Sequence, residues 1–298
     1  MNFYVFSFNR GQFLDNCVVS IKRHAPDSMI SIYDDQSDDP ETIMVLEKLS
    51  RKHHVISNDS KNSDKHGGLH ANMQMAFKDM PDDEWFCFLQ DDMQIVRDIT
   101  SDDIQYIHEY FRRYPHSGFL HPGFLKGCNR DRDISRTRYD ASMGVYFRRP
   151  GANSAGTYYS DVFISNSGRL RSRGWRFDRR EAEGEKSAKA SFTEMGFMFN
   201  PFVMWLPSVP AYRGKKKTLA LRYAERIGKS GFYPFIRMSE QDVARLTGRD
   251  PLVLPVAEDF LKSVNFSIKK PWAYYPLQKM RLLKFLDGLE RMCGSIRS

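Results

Sequence analysis

Trp85-Phe86-Cys87-Phe88-Leu89-Gln90-Asp91-Asp92 is a continuous apolar run that stops on one amide and two carboxylates. Apolar residues without alternation read as a strand covered on both faces. Met29-Ile30-Ser31-Ile32-Tyr33 repeats the design and ends on Asp34-Asp35, with Ser37, Asp38 and Asp39 just behind. Helical spacing fills the gaps. Phe13, Leu14, Cys17, Val18 and Ile21 predict a helix from about Gly11 to His24. Asp39 before Pro40 predicts another, since the carboxylate accepts from unpaired amides and Pro suits the first position; Met44, Val45 and Leu49 form its buried stripe. Gly67-Gly68 opens a third, with Leu69, Met73, Ala76, Phe77 and Met80 on one face, and a fourth is expected over roughly Ser101–Tyr114. With Phe3–Phe8 and His54–Ser57 as further short strands, residues 1–114 read as four strand–helix units.

That alternation predicts an α/β fold with a parallel sheet, whose strand carboxyl ends open on one edge. Ligands bind at that edge. Two acidic clusters converging there would repel each other without a cation between them. The pattern therefore points to an enzyme that holds a metal and a phosphate-bearing ligand.

Composition agrees. The chain has 298 residues, 41% hydrophobic and 13% aromatic, which describes one large or two unequal globular units. No apolar run is long enough to span a bilayer, and Phe3–Phe8 is too short and lacks the basic flank of a signal sequence. Cys17, Cys87, Cys128 and Cys293 have no paired ligand spacing, so a reduced, cytoplasmic compartment is expected. Residues 1–100 carry 10 Lys/Arg against 17 Asp/Glu, leaving 35 against 20 for residues 101–298. The acidic part is where a metal is expected; the basic part would meet an anionic partner or is simply a solvated surface.

Beyond Tyr114 the pattern loosens. Short strands are expected at Gly118–His121 and Gly144–Phe147, and residues 176–192 read as an exposed or mobile segment. Phe197–Pro210 is apolar and broken by Pro, and from Pro276 the residues Leu277, Met280, Leu283, Leu286 and Leu289 lie near helical spacing. Three parts follow: 1–114, 115–215, and 216–298 as a partly helical extension.

Several chemistries are absent. There is no G-x-x-x-x-G-K-S/T, no H-E-x-x-H and no clustered Cys/His zinc signature. The first turn, Ser7-Phe8-Asn9-Arg10-Gly11, has neither G-x-G-x-x-G nor a nucleophilic Asp. Four ordered pieces remain: Phe6-Ser7-Phe8-Asn9-Arg10, Ile32-Tyr33-Asp34-Asp35-Gln36-Ser37-Asp38-Asp39, Gly68-Leu69-His70-Ala71-Asn72 and Phe88-Leu89-Gln90-Asp91-Asp92. In this order they resemble the S-Y/F-N-R, V-D-D-x-S-x-D, G-x-x-x-A-R-N and F-L-D-x-D motifs of the family 2 glycosyltransferases. The resemblance covers residues 3–98.

It implies a GT-A fold: a Rossmann-like, mostly parallel sheet flanked by helices, a less regular acceptor side and a helical C-terminal extension. It implies a nucleoside-diphosphate sugar as donor, an acceptor hydroxyl on a glycan, lipid-linked or protein partner, and inversion at the anomeric carbon. Ser7, Phe8, Asn9, Arg10, Asp35, Asn72 and Asp91 would bind the donor. Asp92 would hold Mn²⁺ or Mg²⁺ on the diphosphate, where a Lewis acid stabilises the leaving charge. For Asp39 we read a helix cap, and for Asp91–Asp92 a turn is the plain alternative.

Gly156-Thr157-Tyr158-Tyr159-Ser160-Asp161-Val162, followed by Arg169-Leu170-Arg171 and Gly174-Trp175, is similar to the family's block G-x-F/Y-x-E-D with its later Arg and G-Y/W. That likeness makes Asp161 the general base, with Glu181 and Glu194 as rivals; Ser160 replaces the usual Glu. Many relatives add a late His ligand, but no His follows His121, so the metal is expected to be held chiefly through the diphosphate. His66 and His70 are expected at the surface or facing substrate. Arg213-Gly214-Lys215-Lys216-Lys217 is either a solvated turn or a loop over an anion, and Lys126–Arg138 could face the acceptor. The basic tail helix packs on the catalytic domain or contacts a membrane on the cytoplasmic face. A sugar-nucleotide nucleotidyltransferase and a basic nucleic-acid-binding module are the rival classes; the first lacks its Gly-rich loop, the second a basic aromatic stripe. No nucleic-acid partner is expected.

Overall fold

The computed structural model describes residues 1–57, 68–151, 156–211, 217–278 and 280–295. The loop Asn58–His66 and the residues Arg213–Lys216 of the basic segment lie outside these.

The first half runs β1 (Asn2–Ser7), α1 (Gly11–His24), β2 (Ile30–Asp34), α2 (Pro40–Ser50), β3 (His54–Ser57), α3 (Gly68–Asp79), β4 (Trp85–Gln90), β5 (Met93–Ile95) and α4 (Ser101–Arg113). There follow β6 (Leu120–His121), α5 (Arg130–Arg136), β7 (Thr137–Asp140), β8 (Val145–Arg148), β9 (Phe163–Asn166), α6 (Ser167–Ser172), α7 (Glu181–Ser191), β10 (Gly196–Met198) and β11 (Val203–Trp205). The last part holds α8 (Leu219–Ile227), α9 (Glu240–Thr247), α10 (Ala257–Phe260) and α11 (Arg281–Ser295).

Among the described residues one sheet has nine strands in the order β3-β2-β1-β4-β9-β6-β10-β8-β7. β1 lies between β2 and β4, parallel to both. Only β8 and β9 run against the other seven, so the sheet is mostly parallel. β5 was not expected from the sequence. It leaves the sheet and pairs with β11, so the chain after Asp92 turns back over the site.

Alternation sets the two faces. Cys87 and Leu89 join Phe3 and Val5 against α1 and α4, while Phe86 and Phe88 join Tyr4 and Phe6 against α3 and the ring of Phe177. Each of these four β4 side chains is fully buried. A third core gathers Phe13 of α1, Val96, Phe124 and Met204 with Phe235, Phe260 and Trp272 from the last part of the chain.

Helix starts follow their caps. Asp39 accepts from Thr42 N at 2.9 Å with Pro40 at the first position, and Thr100 with Asp103 closes a capping box on α4. The exposed or mobile segment expected at 176–192 is corrected by α7. Its Gly184 and Ala188 are buried, with Gly184 against the ring of Tyr159. Small residues let that helix lie close, and small residues carry no apolar periodicity for a sequence reading to detect.

Candidate functional site

The carboxyl ends of β1, β2 and β4 form one rim. Asp35 N bonds Ser7 O at 2.9 Å on one side of β1, and Asp91 N bonds Phe6 O at 3.0 Å on the other. Asp35 and the Asp91–Asp92 pair therefore flank the same strand end. The Asp35 carboxylate lies against the start of α3, so close that a Cβ on Gly68 would fall 1.8 Å from its Oδ2. Burial, and then Asp34, raise the pKa of Asp35. Asp34 is turned inward and accepts from the amide and hydroxyl of Ser37 at 2.7 and 2.6 Å.

Asn9 is a brace. Its φ of 50° is a left-handed conformation that Asn tolerates. Its Oδ1 accepts from Asp38 N and Asp39 N at 2.8 and 2.9 Å, and its Nδ2 donates to Asp38 Oδ1 at 2.6 Å. Phe8 N donates to Asp91 Oδ2 at 3.0 Å. Ser7 is buried, and its Oγ has no partner among the described residues. Asn72 is buried on α3.

The cation between the acidic residues is Arg10. Its guanidinium donates to Asp91 Oδ1 at 3.2 Å and to Asp92 Oδ2 at 2.8 Å. Asp91 is buried, and burial raises its pKa against the pull of Arg10. Asp92 Oδ1 is the atom left over: buried and, among the described residues, without a partner. Among the described residues no three His, Cys, Asp or Glu side chains are placed to hold an ion together. A metal bound at Asp92 Oδ1 would draw further oxygens from the donor or water.

Beside this rim a cavity of about 310 Å³ is lined by Gln90, Trp205, His121, Lys126, Asp161 and Glu181, with Arg132 and Arg148 at its far wall. A larger hollow of about 480 Å³ sits at the opposite, amino end of β4, around Trp85 and Asn166. Asp83 is the only carboxylate lining it, so the chemistry belongs to the smaller one. Lys126 spans the smaller cavity's charge. It lies 3.9 Å over the Trp205 ring. Burial lowers its pKa, while the fields of Asp92, Cys128 and Glu181 work in the opposite direction. Trp205 Nε1 donates to Gln90 Oε1 at 3.4 Å. His121 is fully enclosed and held neutral, its pKa lowered to about 3 first by burial and then by Arg148 and Lys126. Its Nδ1 accepts from Gly123 N at 3.0 Å, which leaves Nε2–H as its donor.

Two of the three carboxylates proposed as base meet here. Asp161 Oδ1 is 3.0 Å from His70 Nε2, both largely buried. His70 is therefore not at the surface: its ring is paired with Asp161. Burial works against its charged form, but the bond to Asp161 and the fields of Asp161, Glu181 and Asp178 outweigh it and raise its pKa. Glu181 starts α7, and its pKa is raised by burial and then by Asp161. One turn on, Glu185 accepts from the amides of Thr157, Tyr158 and Tyr159 at 2.8 to 3.2 Å, so α7 fixes the loop that carries Asp161. Glu194 does not line the cavity. Arg169 and Arg171 are structural: Arg169 donates to the carbonyls of Phe111 and Pro115, and Arg171 to those of Phe77 and Met80.

The basic stretch Lys126–Arg138 contributes Lys126 and Arg132 to the cavity wall. Sequence reasoning missed His121, Arg148 and Trp205. None lies in a motif, and each reaches the cavity only through pairing with strands distant in sequence: β6 with β9 and β10, β8 with β10, and β11 with β5.

The rim and the cavity together form an acidic strand edge with an adjoining carboxylate-lined pocket. Residues 3–202 match the model of the family described as glycosyl transferase family 2. The chain belongs to that family, and its fold is GT-A. Solved structures that it resembles include TarS 1–349 of S. aureus, 14% identical, covering 69% of this chain and 60% of that one with a TM-score of 0.45. Another is the mannosyltransferase PcManGT from Pyrobaculum calidifontis, in complex with GDP-Man and Mn²⁺, 10% identical, covering 76% of this chain and 60% of that one with a TM-score of 0.47. The chain thus spans 60% of the length of each of these two. No curated protein sequence matches it. Among the described residues no helix is long and apolar enough to cross a membrane.

Proposed function

We propose that the protein transfers a sugar from a nucleoside-diphosphate sugar to an acceptor hydroxyl with inversion, and that Asp161 is the base. The observation carrying this reading is the cavity at the end of β4: Gln90, which leads directly into Asp91 and Asp92, lines the same wall as Lys126, Asp161 and Glu181. A donor laid along the rim would set its nucleoside by Asp35 and its diphosphate by Arg10, Asp92 and Lys126, with its anomeric carbon toward Asp161. Residues 1–114 then serve the donor, 115–215 the acceptor, with 216–298 as an extension.

The step balances simply. The acceptor oxygen forms its bond to the anomeric carbon as the bond to the diphosphate oxygen breaks on the opposite side. The hydroxyl proton passes to Asp161 Oδ2, because Oδ1 is engaged by His70. Arg10 and Lys126 offset the charge that collects on the diphosphate. The unpartnered Asp92 Oδ1 suits a divalent ion. Mn²⁺ or Mg²⁺ bound there would add Lewis-acid stabilisation of that same charge.

Asp161→Asn tests the assignment. Turnover should fall by about 10³-fold or more while donor affinity by calorimetry stays within about twofold. If donor affinity collapses instead, or if turnover survives here and is lost in Glu181→Gln, the base is not Asp161. Asp92→Ala should weaken Mn²⁺-dependent uptake of nucleoside diphosphate at least tenfold, by about 1.4 kcal/mol; uptake equal to the parent's would remove Asp92 from the donor site.

A further inference from the structure

α8 and α11 pack against each other, and each also keeps apolar side chains turned outward. They run antiparallel: Glu290 near the end of α11 accepts from Leu219 N and Ala220 N at the start of α8, while a Cβ on Gly228 at the other end would touch Met280. Every acidic residue of the two helices is engaged in local structure. Asp287 is buried and accepts from Thr218 Oγ1 at 2.6 Å and from Arg291, Glu290 caps α8, and Glu225 takes Ala211 N and Lys217 Nζ.

Apolar side chains point out. On α8, Leu219, Tyr223 and Ile227 are 72, 58 and 53% exposed, spaced four apart on one face. On α11, Leu282, Phe285, Leu286 and Leu289 are 71, 62, 39 and 42% exposed. Of the tail residues expected to pack on the catalytic domain, Leu286 and Leu289 therefore face solvent. Arg222, Arg226, Lys229, Arg281 and Lys284 border the two stripes, all exposed and, among the described residues, none in a salt bridge.

We propose that this α8–α11 face docks on an anionic lipid surface, the apolar stripes entering the headgroup boundary and the five cations pairing with lipid phosphates. Exposed apolar stripes on two adjoining helices mark an interaction site. Its charge selects the occupant. A second copy joined about a twofold axis would bring the same five cations against themselves, and a neutral apolar partner would leave them unpaired. An anionic bilayer satisfies both, as for interfacial helices with a basic border. The docking does not depend on the chemistry of the cavity.

Co-sedimentation of the full chain with vesicles tests this. Vesicles of phosphatidylcholine with 30% phosphatidylglycerol, about the anionic content such surfaces require, should retain the protein at low salt. Pure phosphatidylcholine should not. Leu282→Glu with Phe285→Glu should weaken the partition at least tenfold and keep the parent's circular dichroism and thermal midpoint. Arg281→Gln with Lys284→Gln should lower it on the order of tenfold and flatten its salt dependence. No retention on anionic vesicles would overturn the proposal. So would equal retention by the Glu variant, or a dimer in sedimentation velocity that the Glu variant dissociates.

Discussion

Arg10 and His70 do comparable work at two ends of one site, each holding a carboxylate in place through hydrogen bonds. For His70 the consequence is measurable. His70→Ala removes the bond to Asp161 and should lower turnover about tenfold with donor affinity unchanged, and His70→Gln, which keeps a donor, should recover most of the loss. Equal turnover in both variants would mean that the bond to Asp161 does no work. Asp161 was singled out by its motif. Its partner was not, since 91 residues separate the two and nothing local in either stretch announces the other. Asn9 was read as a donor contact; its side chain is spent on Asp38 and Asp39, a bracing role that a motif letter does not distinguish from a binding one.

Among the elements, those built on large side chains or caps were readable. α1 spans Gly11–His24 and β3 spans His54–Ser57, as their patterns require, and Asp39 caps α2. α7 was not, because its buried face is Gly184 and Ala188; β5 was not, because three residues pair only with a distant partner. Close packing also makes a prediction at α1. A Cβ on Gly11 would lie 2.8 Å from Thr42 Cα and 3.0 Å from Glu41 O, both backbone atoms that cannot swing aside. Gly11→Ala should therefore destabilise the fold by about 1–3 kcal/mol in urea titration, despite the better helix propensity of Ala. A stabilised variant would show that α1 and α2 can separate without cost.

For the molecule as a whole, pH acts through His121. Its pKa is held at about 3, below the value near 6.5 of an unfolded chain, so between those values the unfolded state binds the extra proton. Stability is thus complete above about pH 6.5 and falls as the pH drops toward 3, by a few kcal/mol from this group alone. Denaturation curves at pH 7 and pH 4.5 should show the loss, and His121→Asn should reduce the slope; the same slope in both proteins would assign it to other groups. The sheet, the rim and the acidic strand ends follow from sequence because they are local. The cavity wall does not, because it is assembled from β6, β8 and β11. The third core bears on how the gene can be trimmed. Phe13 in the first helix shares it with Trp272 near the tail, so an expression clone stopped at residue 216 would bare Phe13, Val96, Phe124 and Met204 together, and should yield inclusion bodies instead of a minimal enzyme.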